Sequence, residues 1–373
     1  MTLYLKTGKI ISTEMVVVEM TSEKPSYQFW KEGFFLLNNT YDKPFKTYEQ
    51  MIALMESRNI IVEDKEFAIT ALQNLSYYGL INAYKNTFLQ IPDSDDFING
   101  TKFEELYTLH LLDVSLNSII FKYILYLEKA LKSRISYLVS EKYGVFTDAS
   151  DRSFSNPSDY LCKSNYTNSN RKRINILIGL KESIHQSRNN PSMQHYINHR
   201  NHIPAWILIT NLSYGLTIEW YNILKSCDKE SICNSFISSG ILTIEETKEF
   251  MRKSLELTKE YRNKIAHGNR TFSALNLPQL PKKQLLTLSF NTIIEEEYNS
   301  KMGQNDVMAV LLALNILLND QYVLRNFYEE LYSLLSPYAN QDTHFNTKNV
   351  FEVFGFPNDL FSRLNNLFER RFL

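Results

Sequence analysis

The stretch FEELYTLHLLDVSLNSIIFKYILYLEKALKSRISYLVSEKYG, residues 103–144, decides the fold class of this 373-residue chain. Apolar side chains recur along it every three or four residues, the spacing of one face of an α-helix. The stripe consists of Leu106, Leu109, Val114, Leu116, Ile120, Ile124, Leu127, Leu131, Ile135 and Leu138. Thr101 and Glu104 have capping-box spacing before the stretch, and Gly144 is a typical C-terminal stop. An unbroken helix would be roughly 60 Å long, so we expect a kink or a break within it.

Helical patterns also occur on the C-terminal side of this stretch. Thr243 and Glu246 form another capping box, which opens a helix that we predict to run to His267. A further pattern predicts one long helix from Asn305 to the end of the run NDVMAVLLALNILLNDQYVLRNFYEELYSLL. The segment between these two helices contains LPQLPKK and is predicted to be irregular.

The predicted fold class is therefore all-α, a multi-helix bundle. We divide the chain into an N-terminal helical region (1–100), a helical core (101–270) and a C-terminal helical extension (271–373). Only 11 Gly and 10 Pro occur in the whole chain, so most of it can adopt regular structure.

The charge of the chain is unevenly distributed, although the net charge is only -1. The segment 163–202 carries seven Lys or Arg residues against one acid, Glu182, and it also holds four of the seven histidines. Such a local excess predicts either an anion-binding surface or an ordinary solvated loop and helix face, and the sequence leaves both open.

The cysteines and the hydropathy pattern indicate the compartment. Cys162, Cys227 and Cys233 are too few and too widely spaced for a disulfide framework, and no Cys/His spacing suits zinc. The first twenty residues lack the long apolar core of a signal peptide, and the run Val307 to Leu318 is too short to span a bilayer. No glycine-rich phosphate loop is present. We predict a cytoplasmic protein with no metal, no cofactor and no membrane partner.

The candidate catalytic residues lie in YRNKIAHGNR, residues 261–270. Asn263 and His267 are four residues apart and share a helix face, and the long side chain of Arg262 can reach the same side. This trio suits metal-free RNA cleavage. A histidine can take the proton from the 2'-hydroxyl or give one to the leaving 5'-oxygen. A guanidinium can hold the phosphate as its negative charge grows, and the amide of asparagine can orient the phosphate or the imidazole.

A purely structural interpretation of the same residues is also open. Arg and His side chains interact favourably with the free carbonyl groups at a helix C-terminus. Asn263 can be simply solvated. Spacing alone does not decide between this interpretation and catalysis.

The segment Tyr261 to Arg270 resembles the R-x4-6-H signature of HEPN domains (higher eukaryotes and prokaryotes nucleotide-binding), with the preferred polar residue after the arginine present as Asn263. Other segments resemble the bacterial abortive-infection (Abi) phage-defence family, in the order of that family. These segments are KPFKTYEQMIALMESRNI, LSYYGLINAYKNTF, FEELYTLHLLD, YLEKALKSRISYLVSEKYG and IPAWILITNLSYG. The resemblance covers about residues 43–270.

The resemblance implies a HEPN-like helical bundle, RNA as substrate, and a role in phage defence or as an RNA-regulated toxin. It implies Arg262, Asn263 and His267 as catalytic residues, and a homodimer that pairs two such sets, because one signature is present in the chain. Glu128 and Arg134 resemble the E-x5-R pattern of the family, and we expect them to brace the site, to pair with each other or to form ordinary salt bridges.

A small structured regulatory RNA is a further partner that the resemblance implies. Our candidates for contacting it lie in the basic segment, although the resemblance itself does not single them out. They are Arg171, Lys172, Arg173, Lys181, Arg188 and Arg200. Two alternatives stay open: an RNA-binding protein of the same family without nuclease activity, and a toxin that a neighbouring nucleotidyltransferase modifies.

Overall fold

Helices dominate the computed structural model, which describes residues 43–92, 94–147, 150–167, 170–268, 270, 276–339, 345–346 and 348–372. Within these ranges the only β-type pairings are isolated bridges. The fold class is therefore all-α, as predicted. The chain divides into two units, 1–47 and 48–373, and everything below concerns the second unit. Residues 1–42 of the predicted N-terminal region lie outside the described residues.

The α-helices follow one another along the chain, with short 3-10 and π turns between some of them. In order they are α1 (Tyr48–Ser57), α2 (Lys65–Leu75), α3 (Phe103–Tyr143), α4 (Asn170–Gln186), α5 (Pro191–His199), α6 (Ala205–Leu208), α7 (Tyr214–Ile223), α8 (Ser226–Phe236), α9 (Ile244–Ala266), α10 (Lys282–Leu288), α11 (Glu295–Asn299), α12 (Val307–Leu317), α13 (Gln321–Leu335), α14 (Val350–Phe354) and α15 (Leu360–Phe372). A π-helical turn covers Tyr78–Asn82 between α2 and α3.

Helix α3 is one continuous helix of 41 residues, so the break that the sequence allowed is absent. Residues 103–143 contain no proline or glycine, the residues that most often interrupt a helix. The predicted capping residues are also wrong by one position. Lys102 is the N-cap, and its backbone N–H donates to Glu105 Oε2 at 2.8 Å. The Thr101 hydroxyl donates instead to the carbonyl of Ile98.

Helix α3 is the centre of the bundle. It contacts α6, α7, α8, α9, α12 and α13. The predicted stripe is buried except at Val114, which is 47% exposed. By length and composition α3 is the one helix among the described residues that could cross a membrane. Its position among six packed helices is that of a core helix, because its apolar side chains are already covered by protein.

The apolar segment near residue 310 is buried all round. Every residue of α12 is buried, and the helix contacts α3, α9 and α15. The predicted single helix from Asn305 is wrong in two respects. Its N-cap is Asp306, and the pattern is broken into α12 and α13 because Asp320 caps a new helix by accepting from the N–H groups of Tyr322 and Val323. Aspartate favours such caps over helix interiors.

The segment between α9 and α12 is more regular than predicted, since it contains α10 and α11. Both are short, at seven and five residues, so neither shows enough periodicity to be recognised. Helix α10 contacts α9, and α12 contacts α3, so packing is continuous across residue 270.

Candidate functional site

Helix α9 carries the candidate catalytic residues at its C-terminal end. The predicted capping box at its start is confirmed, with the Thr243 N–H donating to Glu246 Oε2 at 3.0 Å and the Glu246 N–H donating back to the Thr243 hydroxyl. The helix ends at Ala266, followed by His267 as C-cap. Gly268 has φ +70°, a conformation that glycine adopts without strain and that turns the chain away from the helix axis. His267 therefore projects from the helix end and is exposed.

The guanidinium of Arg262 lies half-buried against α3. Its Cζ atom is 5.9 Å from the centre of the Phe121 ring. Its one side-chain hydrogen bond is a long one, from Nη1 to Asn263 Oδ1 at 3.4 Å, and its Nε is buried without a partner among the described residues. No described carboxylate pairs with it. The structure thus holds a partly desolvated cation that has no counter-ion within the described protein.

The three residues of the signature are brought together only in part. Arg262 and Asn263 are in contact. The His267 backbone N–H donates to the carbonyl of Asn263 at 3.1 Å, which places the residue one turn above Asn263. Its imidazole forms no hydrogen bond with any described residue.

A buried polar chain, which we did not predict, anchors the same end of α9 to α3. Tyr261, directly before Arg262, donates from its hydroxyl to Asn117 Oδ1 at 2.8 Å. Asn117 donates to Asp113 Oδ1 at 3.2 Å, and Tyr84 donates to Asp113 Oδ2 at 3.0 Å. A signal was present in the sequence, because Asp113 and Asn117 are four residues apart on the apolar face of α3.

A cleft of about 570 Å³ adjoins this polar chain. It lies between α3, the π-helical turn and the end of α9, and Ile265 and Gly268 on either side of His267 form part of its wall. His110 lines it, with Nδ1 at 3.2 Å from the Tyr84 hydroxyl. Burial lowers the pKa of His110, and burial together with Asp113 raises the pKa of Tyr84. The lowered pKa favours the neutral form of His110 near pH 7.

Glu128 and Arg134 do not pair with each other. Glu128 is buried and pairs with Lys132 at 2.7 Å, one helix turn further on. Arg134 donates to the carbonyls of Ala130 and Ser235 and lies 3.9 Å from the centre of a phenylalanine ring on α8. Burial lowers the pKa of Arg134.

Tyr214 is a further buried residue near the signature. Its hydroxyl lies 3.0 Å from that of Thr258 on α9. Burial raises the pKa of the Tyr214 hydroxyl, and the charge of Glu128 raises it as well. The hydrogen bond with Thr258 and the charge of Arg262 have the opposite effect and lower this pKa. Glu128 and Arg262 both act on this phenol, so the two residues lie in one electrostatic neighbourhood without direct contact.

The six candidate RNA-binding residues divide into three pairs. Arg173 donates to the backbone carbonyls of Lys163 and Thr167, and Lys181 donates to that of Asp151. Both side chains therefore hold the loop that precedes α4. Arg171 and Lys172 are exposed at the start of α4, with Lys172 pairing with an acid on α7 at 3.1 Å. Arg188 and Arg200 line one common cleft.

The described residues contain no group of three or more His, Cys, Asp or Glu arranged to hold a metal ion. All three cysteines are free, with Cys162 and Cys233 buried. The polar groups in and beside the signature are the guanidinium, the amide, the imidazole and the buried tyrosine–aspartate chain.

Comparison with known proteins gives one match. The family model described as Abi-like protein matches residues 70–273, which include α3, α9 and the whole Arg262–His267 signature. No curated protein and no solved structure is similar enough to count as a match. The matched range covers more than half of the chain. The chain therefore belongs to the Abi-like protein family.

Proposed function

We propose that this protein is a metal-independent HEPN-type endoribonuclease that acts in abortive infection against phage or as an RNA-regulated toxin. The observation that carries the proposal is the guanidinium of Arg262, half-buried with no carboxylate partner among the described residues. A desolvated cation without a counter-ion is costly, and a phosphate group of a bound RNA would supply the missing negative charge.

The proposed reaction uses the signature residues alone. The imidazole of His267 takes the proton of a ribose 2'-hydroxyl, and the 2'-oxygen attacks the adjacent phosphorus. The bond from phosphorus to the 5'-oxygen breaks, and that oxygen receives a proton from the imidazolium of the second copy. Arg262 binds the phosphate as its charge grows, while Asn263 orients the guanidinium through their contact. The products are a 2',3'-cyclic phosphate and a 5'-hydroxyl.

The exposure of His267 supports a site completed by a second copy. A general base must be held within hydrogen-bond reach of the proton that it takes, and this imidazole forms no hydrogen bond with any described residue. We propose that a homodimer pairs two signatures and that the RNA passes along the cleft beside Gly268. We propose RNA as the substrate and the cytoplasm as the compartment in which the reaction takes place.

A second candidate function is RNA binding without cleavage. The exposure of His267 also favours this second function, because a histidine at a helix end can cap the helix instead of acting as a base. Arg262 would then hold a phosphate of a structured regulatory RNA.

Cleavage of end-labelled RNA in EDTA by the purified dimer, freed of co-purified RNA, distinguishes the two functions. We expect wild type to cleave, and Arg262→Ala and His267→Ala to bind RNA but not to cleave it. Arg252→Ala is the matched control, because this arginine lies on the same helix and pairs with Glu256 away from the signature. Intact RNA with every version, together with salt-sensitive binding by wild type, would select the binding function.

A further inference from the structure

A second cleft, of about 390 Å³, lies within the basic segment and shares no lining residue with the cleft beside α9. It is formed by the C-terminal end of α4, by α5 and by residues 200–203. His185 and Arg188 contribute from one side, Arg200 and His202 from another, and Tyr196 from α5. Its volume is within the range of sites that bind small ligands.

The walls of this cleft are fixed by the fold. Phe146 and Ile203 form an antiparallel bridge, with N–H to carbonyl distances of 3.1 and 2.8 Å, and both line the cleft. Asn190 caps α5 by accepting from the Ser192 N–H, and Met193 anchors that helix in the core. The backbone that carries the basic side chains is therefore held in place by the bridge, the helix cap and the buried Met193.

The positive charges of the cleft are uncompensated within the described chain. None of its described lining residues is an aspartate or a glutamate. Arg188 and Arg200 form no ion pair or side-chain hydrogen bond with any described residue, whereas Arg173 and Lys181 are occupied by backbone carbonyls. Two free guanidinium groups beside two imidazoles suit a phosphate, which accepts several charge-assisted hydrogen bonds at once.

The remaining surface of the cleft is apolar and aromatic. Tyr196 packs edge to face with His202 at 6.0 Å between ring centres, and Ile197 is 46% exposed at the rim. A phosphate group alone gains no binding free energy from apolar and aromatic side chains. An unpaired nucleobase does gain it, because its flat face stacks on such side chains.

We propose that this cleft binds one nucleotide unit of a single-stranded RNA, with the phosphate on Arg188 and Arg200 and the base against Tyr196 and Ile197. The inference rests on the proposed function only in that the ligand is RNA, and it does not require that the RNA is cut. The cleft would hold a strand of the substrate or regulatory RNA at a point separate from the signature.

The test measures binding of a fluorescein-labelled twelve-nucleotide single-stranded RNA by the full-length protein carrying His267→Ala, so that cleavage does not affect the readout. In this background Arg188→Ala/Arg200→Ala is compared with Lys301→Ala/Lys348→Ala, which removes the same charge at two exposed positions outside the basic segment. We expect the cleft pair to weaken binding about tenfold or more and to reduce the slope of log K against log salt by about 0.7, for one phosphate contacted on a single strand. The control pair should change affinity by less than about threefold.

Equal losses from the two pairs would overturn the proposal, since they would show a diffuse charge effect. Absence of RNA binding by the His267→Ala protein at 50 mM salt would also overturn it. AMP that binds as tightly as the oligonucleotide would assign the cleft to free nucleotides instead of a strand. If polyglutamate competes as well as the RNA, the cleft binds negative charge alone and its aromatic wall takes no part in binding. That result would also overturn the proposal. Cleavage by wild type is scored separately, so its failure is distinguishable from failure of this site.

Discussion

Arg262 is the residue on which the functional account depends most. A half-buried guanidinium costs free energy unless an anion completes it, and no described side chain does so. Natural proteins keep such groups where binding or catalysis needs them, at the expense of stability. A structural arginine at a helix C-terminus would instead be stabilising.

Substitution of Arg262 by methionine therefore separates the two interpretations. Methionine keeps an unbranched stem that can pack against Phe121, and it removes the charge together with the long hydrogen bond to Asn263. We expect the melting temperature of Arg262→Met to equal or exceed that of wild type, measured by differential scanning calorimetry, while RNA cleavage falls by a factor of about 10² to 10³. A lowered melting temperature with cleavage retained would support the structural interpretation.

At the scale of the element, the end of α9 is fixed to α3 by the Tyr261–Asn117 hydrogen bond. Both residues are buried, and Tyr261 directly precedes Arg262 in the sequence. This hydrogen bond therefore fixes the end of α9, although the signature residues that follow Tyr261 lie at the surface.

Tyr261→Phe removes this hydrogen bond and preserves the ring. We expect a loss of about 1 kcal/mol in the free energy of unfolding, measured in urea, because a buried hydrogen bond contributes roughly that much. The control is Tyr137→Phe, whose tyrosine is 70% exposed and should change stability by much less. Equal effects from the two substitutions would contradict the anchoring role.

The start of α9 makes stability depend on pH through Glu246. Hydrogen bonds from Lys283 and Thr243 lower the pKa of this carboxyl from 4.5 to about 2. A carboxyl with a lowered pKa in the folded state stabilises the fold above its unfolded-state pKa, and this contribution is lost as pH falls toward the folded-state value. We expect wild type to melt above Glu246→Gln at pH 7, and the difference to shrink between pH 4.5 and 2.

The control for that titration is Glu230→Gln, because Glu230 is exposed on α8. Its difference from wild type should stay small throughout. A constant difference between wild type and Glu246→Gln across the whole range would contradict the assignment to the capping box.

The elements that the sequence predicts well are those that carry a repeated pattern or a cap. The apolar stripe locates α3, and the Thr243–Glu246 spacing locates the start of α9. The α12–α13 break was missed because the run remains apolar up to Asp320, and one cap decides the boundary. The buried chain at Asp113 was missed because its partners, Tyr84 just after the π-helical turn and Tyr261 on α9, are distant in sequence.

The candidate site follows the same rule. Arg262, Asn263 and His267 are adjacent in sequence, so their neighbourhood could be predicted. The cleft shared by Arg188 and Arg200 could not, because it depends on how α4, α5 and the bridge at Phe146 meet in space.

At the scale of the whole molecule, the account requires two copies. If each active site combines the signatures of two chains, specific cleavage activity should fall on dilution as the dimer dissociates. We expect the midpoint of that fall to match the dimer dissociation constant measured by analytical ultracentrifugation. Specific activity that stays constant while the protein becomes monomeric would contradict the composite site.

The most direct test of the central claim is the chemistry of the cut ends. An RNA that wild type cleaves in EDTA is compared with the same sequence carrying 2'-deoxyribose at the cut position, and the products are identified by mass spectrometry. The account predicts 2',3'-cyclic phosphate and 5'-hydroxyl ends from the RNA and no cut at the deoxyribose, because the 2'-oxygen is the nucleophile. Cleavage at the deoxyribose, or products with 5'-phosphate ends, would contradict it.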